Sequence, residues 1–127
     1  MKKTLSFLVP VTLVLFWLAA PASAEVMHYV KCKLNDGKTV EDAQTWVNDW
    51  RKLKTEKGID YEVRILLPHA DNDLVAGEFF LEGSSSTLAS HAAAYEWWYT
   101  DADAAKSGDQ LNAAAACDAG VIYRTTD

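Results

Sequence analysis

Histidine, cysteine and proline are scarce in this chain: 127 residues hold three, two and three of them. Two well-separated cysteines make no Cys-x-x-Cys pair, which excludes the usual redox motif. His28, His69 and His91 are spaced too widely for a zinc signature. A P-loop lysine, a Gly-x-Gly-x-x-Gly run and a Gly-x-Ser-x-Gly elbow are all missing, so phosphate-cradling and serine-hydrolase motifs are excluded as well. Positive charge is also in short supply, with 12 basic residues against 18 acidic ones. That balance argues against nucleic acid or an anionic membrane as partner, since both reward basic patches. The longest apolar run, 5–18, is about 14 residues, too short for a transmembrane span.

That run lies in the most informative stretch. Lys2 and Lys3 precede it, and Ala22-Ser23-Ala24 supplies small residues at cleavage positions. The expectation is a signal peptide over 1–24, cut near Ala24, with a periplasmic or secreted domain over 25–127. Without Lys2 and Lys3, 10 basic residues face 18 acidic ones, a net charge of −8. In an oxidising compartment Cys32 and Cys117 are expected to form a structural disulfide. Closing a loop of about 85 residues would stabilise by roughly 4 kcal/mol on the chain-entropy model.

Residues 26–34 alternate as a strand, with Val26, His28, Val30, Cys32 and Leu34 on one side. After the Asn35-Asp36-Gly37 turn the period changes. Thr39 can cap a helix, Glu41 and Asp42 suit its first turn, and Val40, Ala43, Val47 and Trp50 recur at helical spacing up to Gly58. Strands are expected over 61–67 and 74–82 around a polar loop, in a register that places Arg64 opposite Glu78. Thr87 opens an alanine-rich helix to about Tyr99, with Leu88, Ala92, Tyr95 and Trp98 or Tyr99 as its apolar stripe. A polar break at 100–109 precedes a short helical turn at 111–116, and the last strand covers 120–124.

The order strand, helix, strand, strand, helix, strand predicts an α+β ferredoxin-like βαββαβ sandwich, a four-stranded antiparallel sheet with both helices on one face. Pairing Cys32 with Cys117 sets Val30 against Ala119, His28 against Val121 and Val26 against Tyr123, all on one side. The uncovered face would then carry Met27, Tyr29, Glu62, Arg64, Leu66, Ala76, Glu78, Phe80, Ile122 and Arg124, a mixture that marks an interface or ligand groove. In element order, size and face composition the chain resembles the dimeric α/β-barrel superfamily. In that group, two such protomers join their open sheet faces. The resemblance implies a homodimer and a range of activities that includes small monooxygenases and haem-handling proteins, without naming one.

Among the chemical candidates, His28 belongs on the helix-covered face, where a hydrogen-bonded core role outweighs a ligand role. His69 falls in a loop. His91 beside Tyr95 could line a pocket as a base or haem ligand. Asp71-Asn72-Asp73 fails as a calcium loop, because Val75 and Ala76 occupy its fifth and sixth positions. The serines after Gly83 read as helix capping rather than an anion site. Glu96-Trp97-Trp98-Tyr99 presents more aromatic surface than one helix face can bury. The leading expectation is a secreted or periplasmic, non-enzymatic ligand-binding or interaction domain, with Tyr29, Arg64, Glu78, Phe80, His91 and Trp97 as candidate ligand or interface residues. The alternative is a cofactor-independent monooxygenase-like or haem-handling protein. A small apolar or aromatic ligand suits either reading, and a deep pocket beside His91 would favour the second.

Overall fold

Strand β1 (Val26–Leu34) is the spine of the sheet, pairing with β3 (Glu78–Ser85) on one edge and with the returning C-terminal strands on the other. The computed structural model describes residues 25–69 and 76–125; the expected leader, most of the loop after β2 and residues 74–75 lie outside these. Strand β2 (Glu62–Leu66) borders β3, and β4 (Ala115–Cys117) and β5 (Val121–Arg124) share the far side of β1. The antiparallel order β2-β3-β1-β4/β5 is the ferredoxin-like arrangement, its last strand split in two.

Helix α1 (Val40–Lys57) forms where its caps place it. The Asp42 carboxylate accepts from Thr39 N–H at 2.9 Å, and Gly58 ends the helix at φ 67°. Its buried Ala43, Trp46, Val47 and Trp50 meet Cys32, Val63, Phe79 and Leu81 from the sheet, and that contact is the core. Among the described residues no helix is long and apolar enough to cross a membrane.

The second half departs from expectation in four places. Strand β3 runs through Gly83, Ser84 and Ser85, because eight of the nine residues of β1 pair with it, as far as Val26–Ser85. Its register sets Arg64 opposite Glu82, with which it forms an ion pair, while Glu78 pairs with Lys31 at 2.9 Å. The ion pair lies on the expected face, one helix-free side of the sheet, but with a partner four residues along.

Helix α2 (Leu88–Thr100) buries His91 and Ala94 and leaves Leu88, Tyr95 and Tyr99 exposed. Its four alanines and its leucine and aromatic residues spread apolar side chains around the helix, so the apolar stripe could not be read from spacing. The expected polar break is instead helix α3 (Ala102–Ala114), which continues through Gly108. Asp101 caps it, accepting from Asp103 and Ala104 N–H. Its buried Ala104, Ser107 and Ala114 are small, and that smallness admits α1: Trp46 Nε1 donates to the Ser107 carbonyl at 2.9 Å.

The last departure changes a face. Cys32 and Cys117 are bonded and paired across the ladder, but β5 sets Tyr29 against Val121 and His28 against Ile122. Between these pairs β1 has two residues and the returning chain has three, 118–120, a β-bulge. One extra residue sends every β5 side chain to the side opposite the one expected. Ile122 therefore joins the helix-covered face beside His28. Tyr123 goes to the open face, its ring 5.6 Å from that of Tyr29.

Candidate functional site

The site grows from one row of the sheet. On the helix-covered face Val63, Gly83, His28 and Ile122 are successive cross-strand neighbours. Gly83 leaves a gap in that row, and Tyr61, just before β2, lays its ring across it. Tyr61 Oη stands 2.8 Å from His28 Nδ1. The Tyr61 backbone is tied to α1, since Trp50 Nε1 donates to its carbonyl at 3.2 Å.

His91 descends from α2 onto this pair. Its ring is edge-on to His28 at 5.9 Å between centroids and 5.7 Å from Tyr61. Only 5% of the residue is exposed, and among the described residues neither ring nitrogen has a hydrogen-bond partner. A buried imidazole with both nitrogens open costs about 1–3 kcal/mol in unmet hydrogen bonding, so its place is not explained by packing.

These groups face a cavity of about 380 Å³ between the sheet and the helices. Its floor is aliphatic, from Val30, Val63 and Leu81; Trp46, Trp50 and Trp98 supply aromatic walls. The bulge residues Asp118, Ala119 and Gly120 and the exposed Tyr95 and Tyr99 form the rest of the rim. Among the described residues, Asp118 is the one formally charged residue in the lining, and no lysine or arginine contributes to it.

Burial holds the His91 pKa below the ordinary histidine value. Burial, and next the nearness of His91, does the same for His28. The Tyr61 phenol is pushed far up by burial. Near neutral pH the site therefore holds two neutral imidazoles and an un-ionised phenol. With its proton on Nε2, His28 accepts from the Tyr61 hydroxyl. With its proton on Nδ1, it donates to Tyr61 and frees the phenol hydrogen for the cavity.

The other residues singled out from the sequence lie elsewhere. Tyr29, Arg64, Glu78 and Phe80 are on the open sheet face. There the buried Glu82 carboxylate binds Arg64 and also accepts from Tyr29, a bond that raises the Tyr29 pKa. Trp97 is packed against Trp50, ring centroids 5.7 Å apart, and does not line the cavity; its neighbour Trp98 does. Tyr61, Gly83 and Gly120 were not singled out. The expected strand 74–82 ends before Gly83 and the expected strand 120–124 only begins at Gly120, so neither reads as a glycine inside a strand, the pattern that marks close approach.

No protein-family model matches the chain, and no curated protein matches it in sequence. Solved structures do match in fold. A cofactor-independent oxygenase from Streptomyces nogalater superposes with a TM-score of 0.54 at 10% identity, over 83% of this chain and 96% of that one. A hydroxynitrile lyase from Passiflora edulis reaches 0.57 at 14% identity, over 84% and 97%. A hypothetical protein of Arabidopsis thaliana reaches 0.58 at 14%, over 84% and 92%. At these identities the likeness establishes the fold alone, an α+β protomer with the ferredoxin-like strand order described above.

Proposed function

We propose that the protein binds a small, uncharged and largely apolar molecule in the cavity beneath α2 and transfers a proton on it. The observation that carries this reading is His91, buried with both nitrogens open and facing the Tyr61–His28 pair across an apolar space. It departs from the non-enzymatic expectation, because His91 lines a largely apolar cavity of about 380 Å³.

His91 is the base. An imidazolium alone would be poorly tolerated in this cavity, which is why the ring is neutral at rest. Taking a proton from a ligand O–H or activated C–H creates imidazolium and an adjacent anion together, and their attraction offsets the burial. Tyr61 donates its hydroxyl hydrogen to that anion while His28, protonated on Nδ1, donates to the phenol oxygen. A ligand entering already anionic would meet the Asp118 carboxylate and, among the described residues, no cationic side chain in the lining. The fold is shared with an oxygenase and a lyase, so it is one on which enzymes are built.

The compartment belongs to the same proposal: a periplasmic or secreted protein, supported by the leader-like residues 1–24 and the Cys32–Cys117 disulfide. So does a homodimer through the open sheet face, supported by the half-exposed Val121 and Tyr123 beside Tyr29 and Phe80.

Acetophenone and benzoate, similar in size and different in charge, test the site. Acetophenone is expected to perturb the His28 and His91 imidazole signals in NMR titrations of the oxidised protein, and benzoate to leave them in place. In D2O the protein should speed exchange of the acetophenone methyl hydrogens, and His91→Phe should lower that rate about 100-fold. Acetophenone binding without exchange would support a ligand-holding role and reject the catalytic one. Equal binding of benzoate would overturn the assignment of an uncharged ligand.

A further inference from the structure

Gly83 and Gly120 both touch the Tyr61–His28 pair, and neither is required by backbone geometry. Among the described residues positive φ occurs at Gly37, Gly58 and Gly77. At positions 83 and 120 the backbone is open to other residues, so the reason for glycine has to be space. A Cβ on Gly83 would overlap Tyr61 Oη and Cζ and stand 2.8 Å from Cε1. A Cβ on Gly120 would overlap His28 Nε2 and stand 2.6 Å from its Cδ2 and 2.8 Å from Val30 Cγ2. Both obstructed groups are stiff rings rather than ends of flexible chains, so neither can yield by a small rotation.

We infer that Gly83 and Gly120 are positioning residues, whose missing side chains let the Tyr61 phenol and the His28 imidazole meet at hydrogen-bond distance. Their places in the fold show how. Gly83 lies between Val63 and His28 in the cross-strand row, so its empty side-chain position is a slot leading from Tyr61 to His28. Gly120 lies in the bulge, against the far edge of the His28 ring. In an unbulged register Val121 would stand opposite His28, a branched side chain at the place where Gly120 leaves room. The bulge is anchored at its entry by the disulfide and by Asp118 N–H donating to the Lys31 carbonyl at 2.9 Å. Its exit is fixed by the Tyr29–Val121 pairing. A glycine thus supports each member of the pair, one from β3 and one from the returning chain.

The inference rests on the proposed function only in treating the pair as chemically active, and its test uses no substrate. The groups facing His28 are Tyr61 from the entry to β2 and His91 from α2, with Asp118 on the bulge lining the same cavity. Long-range 1H–15N spectra of histidine-labelled, oxidised protein through a pH titration read the tautomer and midpoint of His28 directly. Gly83→Ala and Gly120→Ala are each expected to move that midpoint up toward the ordinary histidine value and to mix the tautomers. Gly37→Ala is the control: its φ is 74° with nothing within 4 Å of a Cβ, so it should cost stability and leave His28 unchanged. A folded Gly83→Ala or Gly120→Ala protein whose His28 titrates as in the parent would overturn the inference. If the alanine variants do not fold, Gly83→Ala combined with Tyr61→Ala decides. Removing the obstructed ring should restore folding, and continued failure would show that room for Tyr61 is not why glycine is there.

Discussion

His91 and His28 are placed to be neutral, and that has a consequence for stability as well as for chemistry. Above the ordinary histidine value of 6.5 both rings are uncharged in the folded and unfolded chains, and their contribution is flat. As the pH falls below 6.5 the unfolded chain takes up protons that the folded cavity still refuses. Stability therefore drops with falling pH, through the depressed folded-state values. The carboxylates held low by partners, Asp60 by Ser86 and Asp103 by Lys57, lose their contribution only further down, as they protonate. The two windows separate the effects. His91→Phe is expected to flatten the decline of melting temperature between pH 6.5 and the carboxylate range; a parallel decline in parent and variant would exclude a buried neutral His91. At this scale the sequence was partly legible. Strand alternation put His28 on the correct face, but nothing in the spacing of 28, 61 and 91 says that these three side chains meet.

Elements differ in how far their own residues specify them. Helix α1 has a capping Thr39, acidic residues in its first turn, a four-residue buried stripe and Gly58 in the left-handed region, all local signals pointing the same way. Helix α3 shares the cap and an acidic first turn but has no bulky buried stripe and no closing glycine: its buried residues are small, and Leu111, the ring of Trp98 against Gly108 and the Trp46–Ser107 bonds show which side faces inward. Its firmest local signal is Asp101, which accepts from two N–H groups of the first turn and lies 3.9 Å from Lys57 Nζ. Asp101→Ala is expected to cost about 1 kcal/mol, mainly from the lost cap. The measurement is the denaturant midpoint, with the histidine spectra unchanged. An unshifted midpoint would mean that α1 packing alone holds the helix.

The whole molecule presents two faces with different fates. The helix-covered face closes over the cavity, while the other carries Tyr29, Tyr123 and Phe80 around the Arg64–Glu82 ion pair. If that second face joins two protomers, Tyr29→Glu should shift the protein toward monomer in sedimentation equilibrium, because the new carboxylate would be brought near Glu82 and buried. The cavity histidines, on the opposite face, should be unaffected. An unaltered dimer would place the interface elsewhere, and a monomeric parent would remove it.

Polar and apolar alternation, turn residues and helix caps determined the ferredoxin-like topology, every element but α3 and the split of the last strand, and the pairing of Cys32 with Cys117, because those signals are local or follow from strand adjacency. The tertiary structure decided the register of β5, the inward side of α2 and the convergence of His28, Tyr61 and His91. Each depends on an event that pattern does not record. One extra residue between Cys117 and Val121 reverses a strand's faces, and an alanine-rich helix accepts whichever side the sheet leaves room for. A site made of three distant side chains exists only once two glycines have left space between the strands.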